Sequence, residues 1–325
     1  MLRPGTRRLA RAGGQGVVRR HSALARGVGG DPVVAASLAR LLQQVRDLGQ
    51  PLAAEVGLTA QLEGLLAGLD EGEAYLIQRQ LLGLGEDLCS RQIGWKVGAT
   101  AAGPQQALGL SGPFSAPLFA RQLCSSHIAP DEATGGGGGS AALSLSAMGG
   151  LGVTVETELG WVLRKDLPAL PDPAAEYSYE VVHDALGPLC ACVEVTARRV
   201  APREGTALGP LVIADGGGCG AVVTGATSLP REQWLEAVDP PAAAVRVVVD
   251  GAEVASGVGS AVFGDPVASV QWLATQRGRL GAQGLRTGEL IITGTLHGKT
   301  EIEAGMVVVS EFGDELGAVE VAFDE

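Results

Sequence analysis

The sequence predicts an α+β protein that is mostly β, a mixed-strand architecture with helices at its periphery. Two observations predict it. Short apolar runs of strand length crowd the second half of the 325-residue chain. They do not alternate with helical runs, as a doubly wound sheet requires. A hydrophobic content of 46% is ordinary for a chain with a real core.

Taken in order, the first thirty residues hold seven arginines and no acid. This pattern predicts a transit segment for a mitochondrion or plastid. Asp31 and Pro32 form a helix start, a cap followed by proline at the first helical position. Val34, Leu38, Leu41, Leu42 and Val45 continue it at helical spacing. A second helix is expected over 72–82 and a strand over "IGWKVGA", 93–99. Residues 127–150, with five consecutive glycines, read as a flexible insertion.

"VTVETELGWVL", 153–163, reads as a strand. A helix over 174–186 and the strand "CACVEVTA", 190–197, follow. "ADGGGCG", 214–220, reads as a glycine loop after a strand. It lacks both the dinucleotide fingerprint and the Walker pattern, which excludes those nucleotide-binding modes. The remaining strands are "AAVRVVVDG", "EVASGVGSAV", "LIITGTL", "MVVVSEF" and "AVEVAF". A capped helix starts at Asp265-Pro266.

A net charge of −12 argues against nucleic acid and anionic membranes as partners. Five cysteines without framework spacing predict free thiols, with Cys190 and Cys192 as small apolar residues of a buried strand.

Three acidic residues stand out. In a strand, Glu156 and Glu158 share one face with Thr154 and Gly160. Either that face is solvated, or the two carboxylates hold a hard divalent cation such as Mg²⁺ or Mn²⁺. Glu194 lies in a second apolar strand, where a lone carboxylate is costly unless paired or metal-bound. Arg198 or Arg199 could pair with it. The chain has three lysines. One of them, Lys96, sits between Trp95 and Val97, where burial would lower its pKa towards that of a neutral base. Thr293, Gly294 and Thr295 end a strand. His297, just beyond, reads as a surface loop histidine.

Together, "AYLIQRQLL…GWKVGAT", "VETELGWVLRKDLP", "VEVTARR", "SGVGSAVFGDPVASVQWLA", "LRTGELIITGTLHG" and "EAGMVVVSEFGDELGAVEVAF" resemble the 2-keto-4-pentenoate hydratase family. That family belongs to the fumarylacetoacetase C-terminal-like superfamily. The likeness covers about residues 70–325. It implies a mixed β-roll or sandwich with peripheral helices, a single catalytic domain over 31–325. It implies Mg²⁺ or Mn²⁺ on Glu156, Glu158 and Glu194, with Lys96 catalytic and Thr295, Gly294 and Asp215 binding substrate. The implied partner is a small 2-oxo or 2-hydroxydienoic acid, hydrated through an enolate by a homo-oligomer. The same chemistry serves a 2-oxo acid decarboxylase or an acylpyruvate hydrolase, and a silent binding protein is the reading from another class. The acidic residue that hydratases of the family carry soon after the lysine is missing from "SGPFSAPLF". Ala197 stands where the family has an aspartate after the third glutamate.

Overall fold

A computed structural model describes residues 36–37, 39–43, 68–87, 91–125, 139–148, 150–200, 208–279 and 283–325. The expected transit segment and the glycine run up to residue 138 lie outside them. Residues 36–37 and 39–43 are helical, within the helix expected from Asp31. The further α-helices are α1 (Glu71–Asp87), α2 (Ala102–Leu108), α3 (Tyr179–Ala185), α4 (Leu208–Ala214), α5 (Arg231–Ala237) and α6 (Pro266–Arg279). The strands are β1 (Gln92–Gly98), β2 (Phe114–Phe119), β3 (Leu123–Ser125), β4 (Gly139–Ser144), β5 (Val153–Leu163), β6 (Leu186–Ala197) and β7 (Cys219–Leu229). They continue as β8 (Ala244–Val249), β9 (Ala252–Val258), β10 (Leu290–Thr295), β11 (Thr300–Ile302), β12 (Val307–Glu311) and β13 (Ala318–Asp324).

The strands make two mixed sheets. One runs β2-β1-β10-β5-β6-β7-β3, with β11 also pairing β5; the other runs β4-β13-β12-β8-β9. Alternation along β5 explains why the sheets stack. Its odd positions Val155, Leu159 and Trp161 join one hydrophobic cluster with Val247, Val308, Val319 and Val321 of the second sheet. The Thr157 hydroxyl reaches Ser310 Oγ of β12 at 2.8 Å. The even positions face the other way, so β5 is buried along nearly its whole length. Both faces of the strand are therefore covered.

The helices pack outside this pair. Val267, Val270, Leu273 and Ala274 of α6 enter the main cluster, and Asp265 Oδ1 accepts the Val267 N–H at 2.8 Å as the expected cap. Trp234 of α5 packs edge-on against Trp161 at 5.9 Å. It donates its indole N–H to Gly187 O at 2.8 Å.

Three expectations need correction. The helix expected over 174–186 begins at Tyr179, because the Ser178 side chain caps it, and Leu186 already opens β6. The apolar run before "DGGGCG" is the helix α4, not a strand; a short apolar run does not distinguish the two by period. Within the expected flexible insertion, Gly139–Ser144 is a strand. It pairs in parallel with β13 from Val319 to Asp324.

Candidate metal and catalytic site

The site lies on the even face of β5. Glu156 pairs directly with Glu194 across β5 and β6, and Glu158 lies two residues along, opposite Cys192. One carboxylate oxygen from each of the three glutamates lies within 4.8 Å of the other two. Glu158 and Glu194 are fully buried. Lys96 arrives from two strands away, through the register Lys96↔Ile292 and Ile292↔Gly160. Its Nζ donates to both oxygens of Glu194 at 2.6 Å and to Gly217 O at 3.3 Å.

Two glycines are needed here. Gly294 has φ 110°, and a Cβ on it would meet Thr100 Cγ2 at 2.7 Å. This backbone aims the Gly294 N–H at Glu158 Oε2, 2.8 Å away. Gly217 has φ 75°, and its Cβ would lie 2.9 Å from Ala116 Cβ and 3.0 Å from Lys96 Cδ. The "DGGGCG" loop therefore lies close over the lysine stem.

Burial pushes Glu158 well above the usual carboxylate range, and the charges of Glu194 and Glu156 push it further. Burial acts on Glu156 in the same sense, but Lys299 and Lys96 together outweigh it and hold that carboxyl low. Lys299 Nζ is 3.0 Å from Glu156 Oε1. For Lys96, burial opposes the charge, yet Glu194 and Glu156 prevail and raise its pKa. The expectation of a neutral lysine is thereby corrected. Its apolar sequence neighbours point to the other face of β1, while its own face meets carboxylates.

The donor set fits a hard divalent cation. Three carboxylates converge, and Glu158 Oε1 is buried with no hydrogen-bond partner. Such an oxygen is costly to leave unpaired, and a cation would satisfy it while removing the mutual repulsion.

The other expected residues fall nearby. Thr295 stands opposite Glu158, with its hydroxyl donating to Gly298 O at 2.6 Å and accepting the Gly298 N–H at 3.1 Å. Asp215 does not join the carboxylates. It pairs with the buried Arg199 at 3.1 Å and begins the glycine loop over Lys96. The partner of Glu194 is thus Lys96, and Arg199 serves Asp215. Cys190 and Cys192 are buried free thiols, 3.6 Å apart.

Two further residues belong to the site: Lys299 was not singled out from the sequence, and the surface reading of His297 is corrected. Lys299 is 62% exposed at its side chain and pairs with Glu156. His297 is half-buried, and burial lowers its pKa against the pull of Glu156. Their signal was position alone, directly after the "TGT" strand end.

The family described as "Fumarylacetoacetate (FAA) hydrolase C-terminal" matches residues 110–323. A 2-keto-4-pentenoate hydratase of Burkholderia vietnamiensis is 28% identical over 290 residues, 89% of this chain and 97% of that protein. A 2-hydroxyhexa-2,4-dienoate hydratase of Comamonas testosteroni is 30% identical over 224 residues, 69% of this chain and 75% of that one. Among solved structures, 4-oxalocrotonate decarboxylase from Pseudomonas putida G7, complexed with magnesium and adipate, shares the fold. Its TM-score is 0.73 at 20% identity, covering 89% of this chain and 97% of that chain.

Proposed function

As the chain belongs to the fumarylacetoacetate hydrolase C-terminal family, we propose that it is a metal-dependent hydro-lyase. It adds water to a small 2-hydroxy-2,4-dienoic acid and yields a 4-hydroxy-2-oxo acid. The observation that carries this reading is the buried carboxylate trio, with Glu158 Oε1 unpartnered and the Lys96 ammonium alongside. The hydratase names of the curated relatives support the reaction class. Magnesium in the decarboxylase of the same fold is in keeping with Mg²⁺ or Mn²⁺ here.

Glu156, Glu158 and Glu194 would hold the ion. When bound, it would supply Lewis-acid polarisation of the oxygens of a 2-oxygenated acid. The Lys96 Nζ, held 2.6 Å from Glu194, is placed to act first as the acid. Conversion of the dienol to the ketone places one proton on carbon and releases one from the 2-hydroxyl. Lys96 gives the first and recovers the second, and water then adds at C4 with a proton at C3. The exposed Lys299 ammonium adds positive charge beside Glu156 for an anionic substrate.

One observation favours a second reading. Ala116 lies opposite Lys96 on β2, a strand that is buried throughout and carries no acid. No carboxylate from that strand is at hand to activate water. A decarboxylase, which releases CO₂ and adds no water, would not need one there. One preparation with Mg²⁺ tests both readings. Loss of 2-hydroxypenta-2,4-dienoate with formation of the hydroxy-oxo acid supports the hydratase. Deuterium exchange at C3 of 2-oxo acids, with CO₂ release from an oxaloacetate-like acid and no hydration, replaces it with the second reading.

A further inference from the structure

We propose that His297 is a positioning residue of the carboxylate centre, its Nε2 completing the hydrogen-bond ladder of β5 between Glu156 and Glu158. The inference rests on the metal reading given above. It starts from a break in the sheet. β10 pairs with β5 as far as Thr295↔Glu158, and β11 takes over at Thr300↔Val155. Glu156 and Thr157 lie between these two partners, where the connection 296–299 crosses.

Thr157 is fully buried, so its backbone groups need partners within the protein. Its C=O takes the Leu296 N–H at 2.9 Å. Its N–H does not go to a strand carbonyl. It donates to His297 Nε2 at 3.2 Å, while Leu296 C=O accepts from Val258 N–H at 3.2 Å. An imidazole nitrogen thus stands in for a backbone acceptor, at the residue between the two ligating glutamates.

The geometry has a chemical consequence. Nε2 accepts, so it carries no proton, and the neutral ring bears its hydrogen on Nδ1. Nδ1 is buried without a partner. Gly298, at φ 102°, turns the chain immediately after His297. The Thr295 hydroxyl clamps that turn from both sides, through the N–H and C=O of Gly298. Next in the chain, Lys299 pairs with Glu156. Ring, clamp and ion pair therefore all bear on one short connection, and this connection fixes the peptide that spaces Glu156 from Glu158. Groups that orient metal ligands without touching the metal commonly change affinity by about 10–100-fold when removed.

The test compares His297→Phe with His297→Gln. Phenylalanine keeps a ring and loses the acceptor; glutamine offers a carbonyl oxygen near the place of Nε2. Mn²⁺ binding is read by calorimetry, and folding of each metal-free variant by its melting curve. His297→Phe is expected to bind Mn²⁺ about 10–100-fold more weakly, and His297→Gln to recover most of that loss. Equal losses in both variants, or parent-like affinity in His297→Phe, would overturn the inference. Should His297→Phe fail to fold, ¹⁵N-histidine NMR of the intact protein decides, with His297→Gln identifying the signal. The Nδ1–H tautomer is expected, and an Nε2–H tautomer overturns the proposal. Failure of the parent protein itself to bind Mn²⁺ would overturn the metal reading and this inference with it, and is distinguishable from a defect confined to the variants.

Discussion

Glu158 places the demands of the metal site and of fold stability in opposition, and Glu158→Gln separates them. In the metal-free protein its Oε1 is buried and unpartnered beside two further carboxylates. Glutamine keeps an oxygen for the Gly294 N–H, now 2.8 Å from Glu158 Oε2. Its amide NH₂ replaces Oε1 and can donate to Glu156 or Glu194. The substitution thus turns a repelled acceptor into a donor facing acceptors. Relief of one unsatisfied buried polar group is worth about 1–3 kcal/mol. At roughly 2–4 °C per kcal/mol for a large domain, the metal-free Tm should rise by about 2–12 °C. The gain depends on pH. A carboxyl whose folded pKa is raised binds its proton more tightly in the native state, so the native state regains stability as pH falls through that pKa. The advantage of glutamine should therefore be largest above that raised pKa and shrink as pH falls through it. Mn²⁺ should protect the parent, by about 2.7 kcal/mol at a hundred times its Kd, and protect the variant little. Scanning calorimetry after chelation, with and without Mn²⁺, reads all three effects. A variant that melts below the parent when metal-free, yet keeps the full Mn²⁺ shift, would refute the reasoning.

Lys96→Met should retain Mn²⁺ binding, since the three carboxylates remain, and lower turnover by about 10²–10⁴-fold; calorimetry and steady-state rates on one preparation check this. Gly217→Ala should cost about 1–2 kcal/mol for the left-handed backbone alone. Its new Cβ also presses on the Lys96 stem at 3.0 Å, so activity should fall further than a denaturant midpoint would suggest. His183 has its pKa lowered by burial and by Arg231. The native state resists a proton that the unfolded chain accepts, so its contribution is intact above about pH 6.5 and lost as pH falls below it. His183→Gln should flatten the fall in Tm between about pH 7 and pH 5, and an unchanged slope would exclude His183 as its source.

What the sequence determined by itself is what short-range physics controls. Strand parity is local, so the shared face of Glu156 and Glu158 was legible from two positions in "VETEL". The cap at Asp265-Pro266 and the strand lengths of the second half were legible for the same reason. Glu194, Lys96 and Gly294 stood out from their own sequence neighbours, the family likeness implied their roles, and the structure brings them together around one point. Tertiary structure decided the rest, because register and burial are non-local. Only the pairing of β5 with β6 sets Glu156 opposite Glu194. Only the path from β1 across β10 brings Lys96 onto Glu194, where neighbouring charge overrides the burial that its apolar neighbours had suggested. Asp215 turned to Arg199 for a similar reason: a buried charge takes whichever partner the fold brings within reach. His297 looked like a surface loop residue because no local pattern records a gap between β10 and β11. That gap exists only once both strands have paired with β5, and an imidazole fills it because a buried N–H must find an acceptor.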